Sequence, residues 1–318
     1  MTQQDVVCRE SKRGSVMDVF SECPVCGAFH HDVVCFARDR MHGLPGVFRY
    51  VRCRECGHVH LNPRPPADVI SGYYPIDYGP HQATLPKQSI LSWFLSPERR
   101  VQRFFRNIVT PDMKVLDVGC GRGDFLARLR EIAHCSVYGV DFSPTAVSVA
   151  RAMHGLDVFE GRLEEVPYSD GFFDVVSMWW YLEHDPSPVA CLAACRRLLK
   201  PNGWLVVAVP NSASIPARVF RDKWFHLDAP RHMGIFCPES IRAIMRRTGF
   251  EICRVEYDRS TWGIIHSFEY FMRDRWGREG GFRRTFLARA ICVPVTVLLA
   301  ALRLSDNITV YARPAGRQ

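Results

Sequence analysis

The chain lacks any apolar run long enough to cross a bilayer. Its longest uncharged stretch near the C-terminal end, Ala290 to Leu302, has 13 residues and is interrupted by Pro294. A spanning helix needs about 20, so no transmembrane segment is expected. An apolar run is also missing from MTQQDVVCRESKRG, so no secretory signal is expected and the expected location is the cytoplasm. No short repeat or low-complexity tract is present, which argues against a solenoid or a linker-like chain. Apolar residues make up 47% and charged residues 23% of the 318 positions, enough for one large core and a smaller companion unit.

Cysteine, by contrast, is plentiful. Thirteen of them, an odd number with no signal segment, point to a reducing compartment with thiols free or on metal. The formal charge is +8, and residues 211–318 account for all of it, with 18 Lys and Arg against 10 Asp and Glu. Such a surface is either a solvated basic face or a site for an anionic partner: phosphate, membrane or nucleic acid.

Along the chain, residues 1–20 read as a flexible tail. Residues 21–62 read as a compact cysteine-bearing unit, and 63–89 as a Pro- and Gly-rich linker (NPRPPADVISGYYPIDYGP). Residues 90–318 read as the main domain. Ile90 to Ile108 has the apolar spacing of one or two amphipathic helices, broken at Pro97. From Lys114, strands (VLDVG, SVYGVD, DVFEG, FDVVSMWWY, WLVVAVPN, FEICRVEY, DNITVYAR) alternate with helices (DFLARLREIA, Pro144 to Gly155, Pro188 to Leu199, Pro238 to Thr248). This pattern predicts an α/β fold, a doubly wound and mostly parallel seven-stranded sheet, with ligands at the carboxyl ends of the strands.

The first of these strands runs into Asp117-Val118-Gly119-Cys120-Gly121-Arg122-Gly123 and then a helix. Glycines let backbone approach a ligand closely, and the free N–H groups of the helix start suit a carboxylate or phosphate. The third glycine of a dinucleotide fingerprint is missing, because 124 is Asp and 126 is Leu. Asp141 ends the second strand, 18 residues after Gly123, where a carboxylate can accept both hydroxyls of a ribose. VLDVGCGRG resembles the first motif of class I methyltransferases, and FDVVSMWWYLEHDPSP resembles their fourth motif and the loop after it. The resemblance implies a Rossmann-like fold over about residues 90–258 plus the last strand, with S-adenosylmethionine as cofactor. By this resemblance Asp117, Gly119, Gly121 and Gly123 hold the methionine end and Asp141 holds the ribose. Phe142 flanks the adenine, and Arg162 and Leu163 meet its edge mainly through backbone, Leu163 being equally well placed as core. Met178 to Trp180 are expected between cofactor and substrate, with one of Trp179 and Trp180 facing the core on a two-residue period.

Cys23-Pro24-Val25-Cys26 and Cys53-Arg54-Glu55-Cys56-Gly57 are two Cys-x2-Cys knuckles separated by 26 residues. Two such turns supply four sulfurs for a closed tetrahedral zinc shell, which is structural and not catalytic, in a zinc-ribbon-like module too small to fold on core burial alone. His30, His31, His58 and His60 flank the module and are surplus to it. A zinc knuckle followed by NPRPP, GYYPIDYG and a methyltransferase domain resembles bacterial sugar and cell-surface polysaccharide methyltransferases, as does HLDAPRHMGIFCPESI. The departure at Cys237, where Ser or Thr would cap the helix, leaves the chemistry unaffected.

Transfer of methyl to a sugar hydroxyl needs alignment and a base. His184, which Asp185 could orient, and His232 are the rival candidates. Arg231 could pair with an anionic group on the substrate. The stretch 259–304, with eight Arg against three acidic residues, is an insertion before the last strand. It could enlarge the core, form a lid, or rest peripherally on an anionic membrane face. The expected activity is O-methylation of a sugar, glycolipid or lipid-linked glycan, or a related small molecule. The rivals are RNA base methylation, weakened by the missing Asn/Asp-Pro-Pro-aromatic signature, and a non-catalytic cofactor-binding scaffold.

Overall fold

The structure, a computed structural model, describes residues 17–74, 104–277 and 286–316. The expected helices over 90–103 and the part of the linker beyond 74 lie outside the described residues, although Phe104–Ile108 is helical and Phe105 is buried.

Seven strands form the main sheet: β4 (Lys114–Val118), β5 (Ser136–Asp141), β6 (Asp157–Glu160), β7 (Phe173–Trp179), β8 (Leu199–Pro210), β10 (Phe250–Tyr257) and β11 (Asn307–Pro314). Their order is β10-β11-β8-β7-β4-β5-β6. The last five strands of that order pair in parallel, while β11 is antiparallel to both β8 and β10. The doubly wound, mostly parallel seven-stranded sheet read from the sequence is therefore present. Val115, Val118, Val175, Val176, Val206 and Val207 are buried, as parallel strands covered on both faces require.

The helices start and stop where local chemistry dictates. Asp124–Ala133 buries Leu126, Leu129 and Ala133 and follows Gly123, whose φ is +79°. Pro144–His154 is capped by the Ser143 hydroxyl, which accepts from the Ala146 N–H, and closes on Gly155 in the left-handed region. One boundary differs from expectation. The strand WLVVAVPN was expected to open at Trp204, but β8 begins at Leu199, and its register with β7 slips between Phe173↔Leu199 and Val175↔Trp204. Lys200 to Gly203 form an irregularity inside the strand and do not end it.

A second sheet joins the N-terminal residues to the main domain. β1 (His31–Ala37), β2 (Phe48–Cys53) and β3 (Val59–Leu61) pair antiparallel, and β3 then pairs with β9 (Gly234–Ile235). Cys23, Val25, Cys53 and Cys56 lie in the same apolar cluster as Val207, Phe236 and Ile244. The segment read as linker carries a short helix, Ala67–Ser71, with Ile70 buried in a cluster with Trp224 and Ile235. The insertion before β11 holds two helices, Trp262–Trp276 and Phe286–Ala301.

Arg231 locks these parts together and has no exposed surface. Its guanidinium donates to both oxygens of Asp39 in the N-terminal unit, at 3.2 and 2.7 Å. It also donates to Asp228 and, at 2.9 Å, to the Tyr73 carbonyl. The expectation that Arg231 meets an anionic substrate group is therefore corrected: every direction around its fork is occupied by protein. Removing one partner of a buried pair leaves uncompensated charge. Arg231→Ala is expected to lower the unfolding free energy by about 3–5 kcal/mol, measured by urea titration. A loss under about 1 kcal/mol, the value of a surface pair, would contradict this assignment.

Candidate functional site

The carboxyl ends of β4, β5 and β7 open into a cleft of about 580 Å³, a volume suited to a cofactor with a small second molecule. The glycine loop forms one wall. Gly119 has φ +70°, and a Cβ there would lie 2.3 Å from the Tyr181 ring; at Gly123 a Cβ would lie 2.3 Å from Leu156 Cδ1. Glycine is thus required at both places by conformation and by space. Asp141 is buried and lines the cleft. Its Oδ2 accepts from the Gly121 N–H at 2.8 Å and its Oδ1 from the Ser143 N–H at 2.9 Å. The Asp141 carboxylate thereby pins the glycine loop to the end of β5.

The opposite wall is built from distant segments. Trp180, at φ +51°, turns the chain out of β7 into a short 3-10 turn, Leu182–His184. His184 Nδ1 lies 2.9 Å from the Tyr74 hydroxyl and 3.1 Å from the Arg231 carbonyl. His232 Nδ1 lies 2.7 Å from the His226 carbonyl. Because a carbonyl only accepts, both rings carry their proton on Nδ1 and their lone pair on Nε2. The two rings meet edge to face with centroids 4.5 Å apart. Asp185 does not orient His184; it accepts from the Ser187 N–H and the Tyr181 hydroxyl. The structure brings Gly119, Gly121, Asp141, Phe142, Trp179, His184 and His232 to one cleft, and Trp180 lines it as well. Tyr74, His226 and Asn307, which no sequence signal singled out, also line it.

Comparison with known proteins agrees with this arrangement. The methyltransferase domain family matches residues 93–255. The chain belongs to this family of class I SAM-dependent methyltransferases. Among its relatives, the ubiquinone biosynthesis O-methyltransferase of Thiobacillus denitrificans is 41% identical over 105 residues, 31% of this chain and 44% of that protein. The protein of the same name from Xanthomonas oryzae is 40% identical over 108 residues, 31% of this chain and 43% of the relative. The chain thus spans less than half the length of these curated relatives. Two solved structures share the fold. A candidate sarcosine dimethylglycine methyltransferase from Galdieria sulphuraria superposes with a TM-score of 0.50 at 14% identity, over 78% of this chain and 98% of that one. A chain from a Haloferax volcanii complex between a methyltransferase activator and a candidate methyltransferase gives a TM-score of 0.50 at 17% identity, over 69% and 89%.

In this methyltransferase several expected residues support the cleft and do not line it. Asp117 is buried beneath the glycine loop with its Oδ1 2.7 Å from the Ser177 hydroxyl, and burial pushes its carboxyl up to about 8. Met178 and Leu163 are core residues with 0% and 1% exposure, so neither side chain lines the cleft, while the contact expected of Leu163 runs mainly through its backbone. The packing favours the core reading of Leu163 for the same reason. Arg162 pairs with Glu164 and is also absent from the cleft lining. On the histidine side, burial pulls His184 and His226 down to about 3 and lowers His232, so all three imidazoles are neutral at pH 7. Glu183, beside them, is fully buried, and burial pushes its carboxyl up to about 8.

The four knuckle cysteines converge as well. Cys23 and Cys56 sulfurs are 3.6 Å apart, those of Cys26 and Cys53 are 3.5 Å apart, and all four lie within 4.8 Å of one another. Zn–S bonds of about 2.3 Å in a tetrahedron place sulfurs roughly 3.8 Å apart, so this donor set fits the ion. His31 and His60 can also approach Cys23 as a three-residue group, but that group competes for a sulfur already in the cysteine set. Cys237, the unexpected helix cap, packs here: its thiol donates to the Cys56 carbonyl at 3.4 Å. A thiol therefore stands at the cap position because it faces the knuckle.

Proposed function

We propose that this protein transfers a methyl group from S-adenosylmethionine to a hydroxyl oxygen of a sugar, glycolipid or related small metabolite. The observation that carries this reading is the convergence, in one cleft, of the glycine loop and Asp141 with two imidazoles whose Nε2 lone pairs are unprotonated. The cofactor supplies an activated methyl on a sulfonium. Asp141 and the loop are suited to hold its ribose and amino-acid ends. His184 and His232 border the region left for the acceptor and can deal with its proton. Trp179, Trp180 and Trp262 line the same cleft, and their faces suit the apolar face of a sugar or a ring. That the curated relatives are O-methyltransferases supports oxygen as the acceptor atom.

The deciding assay incubates the protein with methyl-labelled S-adenosylmethionine and a cell extract, then separates lipid, soluble glycan and RNA. Label is expected in the lipid or glycan fraction. Asp141→Ala should abolish it while weakening cofactor binding roughly 10–100-fold, the value of one or two hydrogen bonds to a charged group. Label in RNA would replace this reading with base methylation, and binding without any labelled product would replace it with a scaffold.

A peripheral membrane contact accompanies the proposal. Ile291, Val295, Leu298 and Leu302 are all 45–58% exposed and follow one another at helical spacing along Phe286–Ala301 and its C-terminal end. Trp276 and Phe271 on the neighbouring helix are exposed too. Among the described residues no helix is long and apolar enough to cross a membrane. An apolar stripe of this kind suits the interface of an anionic bilayer. Val295→Asp with Leu298→Asp should cut sedimentation with phosphatidylglycerol vesicles at least several-fold, since each buried apolar side chain contributes about 1.5–3 kcal/mol; unchanged sedimentation would rule the contact out.

Zinc on Cys23, Cys26, Cys53 and Cys56 completes the proposal as a structural ion. Metal analysis should return at least one zinc per chain. Cys26→Ser should lower that content and loosen the β1–β2–β3 sheet in hydrogen exchange; full protection with no metal bound would dismiss the ion.

A further inference from the structure

We propose that Glu183, His184 and His232 form a second, mononuclear divalent-metal site that takes the acceptor hydroxyl as a ligand. The inference rests on the methyl-transfer reading and specifies how its acceptor is held. Three features converge on it, His184 and His232 lining the cleft and Glu183 lying buried beside them. First, one ligand atom from each of these side chains lies within 4.8 Å of the others, close enough for an ion at about 2.0–2.2 Å from each after small side-chain rotations. Second, Glu183 is fully buried, and among the described residues neither of its carboxylate oxygens has a hydrogen-bond partner. An unpaired buried carboxyl costs several kcal/mol, and a cation would satisfy it. Third, both imidazoles are oriented as metal ligands are. His184 Nδ1 donates to the Arg231 carbonyl and His232 Nδ1 to the His226 carbonyl, which fixes the tautomer and leaves Nε2 for an ion. With both Nε2 atoms on the ion, the histidines hold the acceptor and do not themselves take its proton.

Two histidines and one carboxylate leave open positions on the ion. A hydroxyl with a neighbouring oxygen, as in a vicinal diol, fills two of them, which favours sugars and similar polyols over isolated alcohols. Bound to the ion, the hydroxyl gives its proton to solvent water at the cleft mouth. Its oxygen then forms a bond to the methyl carbon as the carbon–sulfur bond breaks, and that electron pair stays on sulfur, leaving a neutral sulfide.

The test adds Co²⁺ to the full chain with its cysteine-bound zinc in place, without S-adenosylmethionine or acceptor. One equivalent should bind, with weak visible ligand-field bands and no thiolate-to-cobalt charge-transfer band. Glu183→Gln and His232→Gln should each weaken that binding by more than the roughly 10–100-fold seen when only an outer-shell partner is lost, while still binding S-adenosylmethionine as a check of folding. No second equivalent, a thiolate band showing cobalt on the cysteines, or equal affinity in folded variants would overturn the site. If neither variant folds, the wild-type stoichiometry and spectrum decide alone. Methyl transfer that persists with no ion bound sinks this inference and spares the methyl-transfer reading; ion binding without any methyl transfer does the reverse.

Discussion

The buried fork of Arg231 is the constraint on which the active cleft depends. One side chain holds Asp39 from the loop after β1, Asp228 from a segment that lines the cleft, and the carbonyl of Tyr73. Its own carbonyl then receives His184. A guanidinium suits this task because its planar donors are fixed in direction and it stays charged when buried. Two carboxylates offset one cation at this point, and the pairing is favourable only because nearly every donor is used. The consequence is geometric: the segment that carries His226 and His232 cannot move relative to the N-terminal unit without breaking the lock.

That lock explains why the cysteine knuckle does not behave as an appendage. β3 extends its sheet through β9, Arg247 donates to the Val25 carbonyl at 2.9 Å, and Cys237 bonds to the Cys56 carbonyl. Tyr74, beyond the helix that follows β3, reaches His184. An ion held by the four cysteines would bear on the histidine side of the cleft through this β-sheet pairing and one tyrosine. Its role would be to hold the framework that orients the histidines.

The legibility of the site in the sequence follows the range of its contacts. The glycine loop, Asp141 and the 3-10 turn with His184 come from strand ends close in sequence, and strand–loop–helix chemistry places them. Tyr74 and His184 are 110 residues apart, and no periodicity reports such a pairing. Arg231 misled for a related reason. An Arg beside a candidate histidine reads as a ligand for anions, yet its partner Asp39 lies 192 residues away. Glu183 was unreadable in the opposite sense: a charged residue in a short turn is expected at the surface, and only the packing of Leu182 to Asp185 against β9 buries it. Met178 was assigned by motif to the cleft, but it occupies an inward position on β7 where a central parallel strand is covered on both faces.

Most titratable groups in and beside the cleft shift toward neutrality, the exception being Asp228, which its bonds to Arg231 hold in the charged form. Burial neutralises His184, His226 and His232 and favours the protonated forms of Asp117 and Glu183. A sulfonium cofactor brings a positive charge into this setting and leaves without it. A wall of neutral imidazoles does not repel that charge, whereas imidazolium would, and a weakly solvated cleft strengthens whatever interaction remains between oxygen nucleophile and sulfonium. The same neutrality leaves lone pairs on both Nε2 atoms. The environment that tolerates the charged cofactor therefore also leaves the histidine wall able to receive a proton or an ion, and among the described residues no hydrogen-bond donor to Glu183 competes with such an ion.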